Sequence, residues 1–298
     1  MREYKKPFGS VLTAMVTPFS EDLTVDFDAA AELAQDLVAL GNDGLVINGS
    51  TGESATTTPE EKIELLKVVR QAVGDNIRII AGVGTNDTYK TIENARAAEK
   101  AGVDGLLVVC PYYNKPPQEG LYQHFMAVAN ATGLDIMLYD IPGRSGVAIS
   151  SETLIRLSEH PRIVANKDAK GDLYQSSVVM SQSDLAYYSG EDALNLPLLS
   201  IGSVGFVSVT GHLIADRLKA MLDAHEAGET SKALEINATL VPITTGVMTK
   251  LGGAIMVKAA LDLLGRRGGG AVRLPYVMAD ESHRHELREY LRQGGFRL

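Results

Sequence analysis

Residues 162–188 read RIVANKDAKGDLYQSSVVMSQSDLAYY, and this stretch decides the fold class. It opens with a short run at 162–167 that contains β-branched residues, which is typical of a buried strand. A helical pattern at 173–182 follows, and a second strand-like run at 185–188 comes after it. A strand, a helix and another strand in this order predict one βα unit of a parallel sheet.

The same alternation extends through the first two thirds of the chain. Strands are predicted at 11–16, 44–48, 78–81, 105–109, 135–139, 162–167, 185–188 and 205–209. Helices are predicted between them at 26–40, 59–73, 88–101, 118–131, 151–159, 173–182 and 192–201. Eight such units favour α/β architecture of the closed (β/α)8 TIM-barrel type. An open doubly wound sheet is the structural alternative, because periodicity cannot detect closure.

After about residue 210 the strand signal stops. Helical patterns follow at 213–225, 229–251, 254–264 and 279–293. We therefore expect a catalytic barrel over residues 1–228 and a C-terminal helical cap over residues 229–298.

Composition excludes several classes of function. The net charge of −9 argues against a nucleic-acid-binding surface. No stretch approaches about 18 uninterrupted apolar residues, so a membrane span is not expected. Cys110 is the only cysteine, and residues 1–7 have no apolar signal core. These features predict a cytoplasmic protein.

Two strand ends carry side chains that suggest covalent chemistry. Lys167 ends the sixth strand, where partly apolar surroundings disfavour its ammonium form and free a nucleophilic amine. Tyr139 ends the fifth strand. In a barrel the carboxyl ends of the strands share one face, so the two side chains are expected to meet there. An amine and a phenol in that position predict an enzyme that forms an imine with a carbonyl substrate.

Four longer motifs occur on the same face, in one order along the chain. They are GSTGES at 49–54, PYYNKPPQEGLYQHF at 111–125, YDIPGRSG at 139–146 and KDAKGDL at 167–173. With these motifs the chain resembles the pyruvate-dependent class I aldolases of the dihydrodipicolinate synthase and N-acetylneuraminate lyase superfamily, from about residue 9 to the helical tail. It is most similar to the synthase branch, which condenses pyruvate with L-aspartate 4-semialdehyde in lysine and diaminopimelate biosynthesis.

The resemblance implies catalytic roles for four residues. Lys167 would hold pyruvate as an imine, and Tyr139 would carry protons beside it. Ser50 and Tyr113 would complete a hydroxyl relay with Tyr139. In this superfamily the tyrosine that matches Tyr113 reaches the site from a neighbouring subunit, so a homo-oligomer is implied, with a homotetramer built as a dimer of dimers as the common form.

Four further residues would bind the substrates. Thr51 would hold the pyruvate carboxylate, and Arg144 would hold the carboxylate of the semialdehyde, for which a planar guanidinium is suited. Gly190 and the carbonyl of Val207 would line the pocket. The resemblance implies no metal and no organic cofactor.

Two alternatives to the synthase reading stay open. Ser50 stands where the synthases usually carry threonine and the neuraminate lyases carry serine, so it favours a related 2-oxo acid aldolase. Arg144 favours the synthase, because the lyase branch does not place arginine in that motif. A catalytically inactive homologue with a binding role is a third possibility, against which the retained Lys167, Tyr139 and Tyr113 argue.

Three further expectations concern regulation and loop structure. In lysine-sensitive synthases, histidines occupy the positions of Pro59 and Lys62, and a glutamate that of Lys90; we therefore predict weak or absent inhibition by lysine. The matching positions here are Ser54, Ala55, Pro59, Lys62, Asn86, Lys90 and Tyr112. Glu53 and Asp168 are expected to orient loops rather than to titrate. Asn166 should face the helix layer by strand alternation, and we have no functional account of it.

Overall fold

Eight parallel strands form a closed barrel in the order of the chain. The structure, a computed structural model, describes residues 5–298. Residues 1–4, on which part of the expectation about a signal segment rests, lie outside the described residues. The strands are β1 Val11–Ala14, β2 Gly44–Ile47, β3 Arg78–Gly82, β4 Gly105–Val109, β5 Asp135–Asp140, β6 Ile163–Asp168, β7 Ala186–Ser189 and β8 Gly205–Ser208. All eight predicted strands are confirmed.

The pairing of the first strand with the last excludes the open-sheet alternative. Leu12 of β1 lies opposite Val207 of β8, and Leu12 also lies opposite Gly44 of β2. Every strand therefore has two neighbours, and the sheet has no unpaired edge.

The helices of the barrel begin with α1 to α4. They are α1 Phe27–Ala39, α2 Pro59–Val73, α3 Thr88–Lys100 and α4 Gln118–Ala129. They continue with α5 Pro142–Ser145, α6 Ser151–Leu157, α7 Leu173–Gln182, α8 Asn195–Ser200 and α9 Gly211–Glu226, with a 3₁₀ turn at Asp192–Leu194. The predicted helices are confirmed. The four-residue helix α5 was not predicted.

Local sequence explains where several of these helices begin. Thr58 precedes α2 and accepts a hydrogen bond from the backbone N–H of Glu61, whose side chain accepts one from the N–H of Thr58. This reciprocal capping box satisfies two N–H groups that have no partner inside the helix. Ser150 accepts a hydrogen bond from the N–H of Thr153 and so caps the first turn of α6.

Side-chain alternation divides the buried residues into two layers. One layer fills the barrel interior and includes Leu12, Met137, Tyr139, Ala165 and Val207. The other lies between the sheet and the surrounding helices. On β6, Ala165 belongs to the interior layer, so Lys167, two residues later, points to the same side.

A helical region follows the barrel, as predicted. It consists of α10 Thr230–Met248, α11 Gly253–Leu263 and α12 Glu281–Gln293. These helices pack on one another, and α10 and α11 also pack on α9. Most of α11 is buried, from Gly253 to Leu261.

Over residues 5–298, no single helix combines the length and apolar composition needed to cross a membrane. The bent pair Thr230–Met248 and Gly253–Leu263 meets that test only by length and composition.

Candidate active site

Lys167 and Tyr139 lie side by side at the carboxyl end of the barrel. The strand register pairs Tyr139 of β5 directly with Lys167 of β6. The Nζ atom of Lys167 lies 4.1 Å from the centre of the Tyr139 ring. Lys167 is only 4% exposed and Tyr139 only 5% exposed. The amine and the ring that the sequence placed at two strand ends are therefore brought into one buried site.

Burial changes the acidity of the lysine. It lowers the pKa of Lys167 from 10.5 to about 7, because removing an ammonium from water disfavours its charged form. The negative charges of Asp192 and Glu191 oppose this shift in pKa, and the positive charge of Arg144 adds to it. Near neutral pH a large fraction of Lys167 is thus a neutral amine, which is the nucleophilic form.

Burial has the opposite effect on the phenol. It raises the pKa of Tyr139 to about 12. The positive charge of Arg144 lowers this pKa by a smaller amount, and the negative charge of Glu191 raises it further. Tyr139 therefore keeps its proton at neutral pH and can donate it to a developing negative oxygen nearby. A neutral amine beside a protonated phenol is the arrangement that addition of an amine to a carbonyl requires.

Gly190 leaves the space that the stem of Lys167 occupies. A Cβ atom at Gly190 would lie 2.8 Å from Cγ and 2.9 Å from Cε of Lys167, closer than such atoms approach. Gly190 is held by a 2.7 Å hydrogen bond from its N–H to the carbonyl of Asp168. Val207 is buried in the interior layer of β8, which also contains Tyr139.

Two acidic residues, Glu191 and Asp192, follow β7, and the sequence alone assigned them no role. Asp192 accepts hydrogen bonds from the backbone N–H groups of Val209 and Thr210, both at 2.9 Å, and from the hydroxyl of Ser208 at 2.5 Å. It therefore fixes the turn that follows β8 and also places a negative charge near Lys167. Burial raises the pKa of its neighbour Glu191.

Ser50 and Arg144 line one open cavity of about 540 Å³. Thr51 follows Ser50 in the same turn and is half-buried. Arg144 lies on α5, and its charge acts on the pKa of both Lys167 and Tyr139, so it connects this cavity to the buried pair. Lys167, Tyr139 and Gly190 are not part of the cavity lining.

Two lysines form part of the outer wall of the cavity. Lys62 and Lys90 line it together with Pro59 and Tyr112. The positive charge of Lys90 helps to lower the pKa of Lys62, although burial is the larger cause. The two cations therefore face the same space, and weak inhibition by lysine stays a prediction.

Tyr113 does not reach this site within one chain. Its side chain is 87% exposed, and its backbone adopts a positive φ of 75°. A non-glycine residue in the left-handed region is uncommon, because this backbone conformation costs free energy.

Asp168 points to the helix layer, where it accepts a hydrogen bond from Ser176 of α7 and one from the N–H of Lys170 at 2.8 Å. Asn166 lies on the same side of β6, opposite Tyr187 of the outer layer. The predicted direction of Asn166 is thus confirmed. Its Oδ1 atom has no hydrogen-bond partner among the described residues.

Across residues 5–298, no group of three or more His, Cys, Asp or Glu side chains has an arrangement that could hold a metal ion. The expectation of a reaction without a metal stays a prediction.

Comparison with known proteins gives consistent matches over nearly the whole chain. A family model described as "Dihydrodipicolinate synthetase family" matches residues 7–294. The chain is 58% identical over 292 residues to 4-hydroxy-tetrahydrodipicolinate synthase 2 of Streptomyces coelicolor, covering 98% of this chain and 97% of that protein. It is 57% identical over 274 residues to 4-hydroxy-tetrahydrodipicolinate synthase of Kineococcus radiotolerans, covering 92% and 89%. Among solved structures, the synthase of Cyanidioschyzon merolae with lysine bound aligns with a TM-score of 0.94 and 42% identity, covering 98% of this chain and 99% of that chain.

Proposed function

The chain belongs to the dihydrodipicolinate synthetase family, and from this premise we propose that it condenses pyruvate with L-aspartate 4-semialdehyde to give 4-hydroxy-tetrahydrodipicolinate. It is a lyase of the class I aldolase type. The observation that carries the proposal is the buried amine of Lys167, with a pKa of about 7, against the ring of Tyr139.

The reaction begins with attack of Lys167 Nζ on the ketone carbon of pyruvate. Loss of water from the adduct gives an imine, and loss of a methyl proton then gives an enamine. The enamine carbon forms a bond to the aldehyde carbon of the semialdehyde, whose oxygen becomes a hydroxyl. The amino group of the adduct then attacks the imine carbon, closes the ring and releases Lys167. One water is released overall, and the lysine is regenerated.

Three hydroxyl groups would move the protons in these steps. Tyr139 donates to and accepts from the carbinolamine oxygen, because it is protonated and lies beside Lys167. Ser50, at the wall of the cavity, would pass the proton onward. Tyr113 would complete the relay from a neighbouring subunit, which its exposure on this chain permits.

Two residues would bind the carboxylates of the substrates. Thr51 would hold the carboxylate of pyruvate through its hydroxyl and backbone N–H. Arg144 would hold that of the semialdehyde, and its place in the cavity wall supports this role. Gly190 and Val207 would shape the pocket around the imine.

Assembly as a homotetramer, a dimer of dimers, is part of the proposal. An exposed tyrosine in a left-handed backbone conformation is poorly explained in an isolated chain, and contact with a second copy would bury it. We also propose the division into a barrel at 1–228 and a cap at 229–298, and a cytoplasmic location. Sedimentation of the purified protein and fractionation of cells test the assembly and the location.

The alternative is a related pyruvate-dependent aldolase, and Ser50 is the residue that favours it. Initial rates with pyruvate and either aspartate semialdehyde or N-acetylmannosamine distinguish the two. We expect turnover of pyruvate with aspartate semialdehyde and none with N-acetylmannosamine. Replacement of Arg144 by alanine should raise KM for the semialdehyde by about 100-fold, as expected for loss of a charged carboxylate contact. Comparable turnover of N-acetylmannosamine would contradict the synthase assignment.

A further inference from the structure

A lysine in the helical cap is buried against the loop that carries Ser50. Lys258 lies on α11. Its side chain is 0% exposed, and the side chain of Glu53 is 1% exposed. Its Nζ atom donates to Glu53 Oε1 at 2.6 Å and to the carbonyl of Ala271 at 2.8 Å. It also lies 4.2 Å from the centre of the Phe19 ring. A charge without water is tolerated only when it is paired in this way.

Glu53 is held on both of its carboxylate oxygens. Oε2 accepts a 2.9 Å hydrogen bond from the backbone N–H of Arg273, while Oε1 accepts from Lys258. Glu53 itself adopts a positive φ of 53°, an unfavourable conformation for a residue with a side chain. Its N–H donates to the carbonyl of Ser50 at 3.2 Å. The charge pair thus holds a strained turn that includes Ser50 and Thr51.

Arg273 fixes the other end of the same loop. Its guanidinium donates to both oxygens of Glu61, at 2.6 and 2.8 Å, and to the carbonyl of Thr56 at 2.8 Å. Glu61 is the residue that closes the capping box of α2. We call Lys258, Glu53, Arg273 and Glu61 the cap–loop cluster. The cluster connects α11 and the segment after it to the loop between β2 and α2. It contacts this loop at Glu53, in its middle, and near its end, where α2 begins.

The cap–loop cluster also borders the substrate space. Glu53 and Arg273 line the same cavity as Ser50 and Arg144. Arg144, by contrast, lies on α5, after β5, and is not among the hydrogen-bond partners of the cluster. A loss of the cluster should therefore disturb the turn at Ser50 and Thr51 while leaving the semialdehyde contact in place.

We propose that Lys258 and Glu53 are positioning residues for pyruvate, through which the helical cap fixes the turn that carries Ser50 and Thr51. This inference rests on the proposed function, because it assigns the pyruvate carboxylate to Thr51. The helical cap then has a role in substrate binding. This role is not evident from the sequence, because the cap is far along the chain from residues 49–54.

Single and double substitutions of a buried ion pair can distinguish a positioning role from a role in stability alone. Removing one partner leaves an uncompensated charge and is strongly destabilising, whereas replacing both with apolar side chains of similar size is often neutral. The double variant Lys258→Met/Glu53→Met should therefore recover most of the thermal stability that Lys258→Met loses, except for the part contributed by the Arg273 N–H, which loses its acceptor Glu53 Oε2. If the pair only stabilises the fold, KM for pyruvate should return to the wild-type value when stability returns. If the pair positions the turn, KM for pyruvate should stay high in the double variant.

The test compares steady-state kinetics of the full-length enzyme and its variants. In the double variant we expect KM for pyruvate to rise about tenfold or more, and KM for the semialdehyde to stay within about twofold, as expected for a local misplacement. Borohydride trapping at saturating pyruvate should still label Lys167. The matched control is Arg267→Met, which breaks the exposed ion pair between Arg267 and Glu32 of α1 at 2.5 Å and should leave both KM values unchanged.

Glu53→Gln provides a second variant in case the double variant does not fold. It keeps the shape and an acceptor for Lys258 but loses one charged acceptor, and KM for pyruvate should rise about threefold. A wild-type KM for pyruvate in a folded double variant, or in Glu53→Gln, would overturn the positioning role alone. Absence of a pyruvate adduct in the wild-type enzyme would overturn this role together with the proposed function.

Discussion

The Nζ atom of Lys167 lies 4.1 Å from the centre of the Tyr139 ring, on two neighbouring strands that pair these residues in register. Neither side chain could be moved by one position without losing this contact, because a shift of one residue points a strand side chain to the opposite face of the sheet. The geometry of the barrel therefore fixes the positions of both the proposed nucleophile and its proposed proton donor.

Replacement of Tyr139 by phenylalanine should separate packing from proton transfer. The ring stays in place against Lys167, while the hydroxyl that we propose as the proton donor to the carbinolamine is lost. We expect kcat to fall by about 10²–10⁴-fold, the range of general acid–base catalysis, with a melting temperature close to that of the wild type. Steady-state kinetics and thermal melts measure the two quantities. A kcat within a few-fold of wild type would show that another group carries the proton.

The rate of imine formation should rise with pH and reach half its maximum near pH 7. The pKa of Lys167 is lowered to about 7, so raising the pH through this value converts the ammonium into the nucleophilic amine. Rapid borohydride quenching at a series of pH values measures this rate. Glu191→Gln removes a negative charge that favours the ammonium, so it should move the midpoint to lower pH. A midpoint near that of an ordinary lysine would contradict the burial argument.

Gly190→Ala should displace the lysine. The added Cβ would lie 2.8 Å from Lys167 Cγ, so the lysine stem must move away from its present position. We expect kcat/KM for pyruvate to fall by about 100-fold, since misplacement of a reacting group by about 1 Å has effects of that size. Gly120→Ala is the control, because a Cβ there meets Pro116 and Pro117 only at 3.4 Å and beyond. Equal activity of the two variants would contradict the proposed fit of Gly190 around Lys167.

Mixing two inactive variants should restore activity if Tyr113 acts across subunits. Tyr113→Phe keeps its own lysine, and Lys167→Met keeps its own tyrosine. A mixed dimer would then hold one complete site. After dissociation and reassembly, we expect the rate of the mixture to exceed the sum of the two separate rates. A rate equal to that sum, with mixed oligomers present by mass spectrometry, would assign Tyr113 to its own chain or to no catalytic role.

Much of the barrel could be predicted because its strands are short, buried and separated by amphipathic helices. The sequence predicted the ends of β6 and β5 at Lys167 and Tyr139, where an apolar run gives way to polar residues, and each strand continues one residue further, to Asp168 and Asp140. Closure was not visible, since it depends on the pairing of β1 with β8. The helix α5 was missed because four residues are too few to show a period of 3.6.

The residues that support the candidate site were harder to predict than Lys167 and Tyr139. Lys258 and Glu53 are separated by 205 positions, and no local pattern connects them. The sequence does contain one signal, a single cation inside the apolar stretch of α11, which implies a buried partner without identifying it. Glu53 was expected to orient a loop, but the cap that holds it became apparent only in three dimensions.

The most direct test of the account is borohydride reduction of the wild-type enzyme with pyruvate, followed by peptide mass mapping. We expect one reduced pyruvate adduct, on the peptide that contains Lys167, and no such adduct in Lys167→Met. No adduct, or an adduct on another lysine in the wild-type enzyme, would contradict the central claim that the buried amine of Lys167 captures the keto acid.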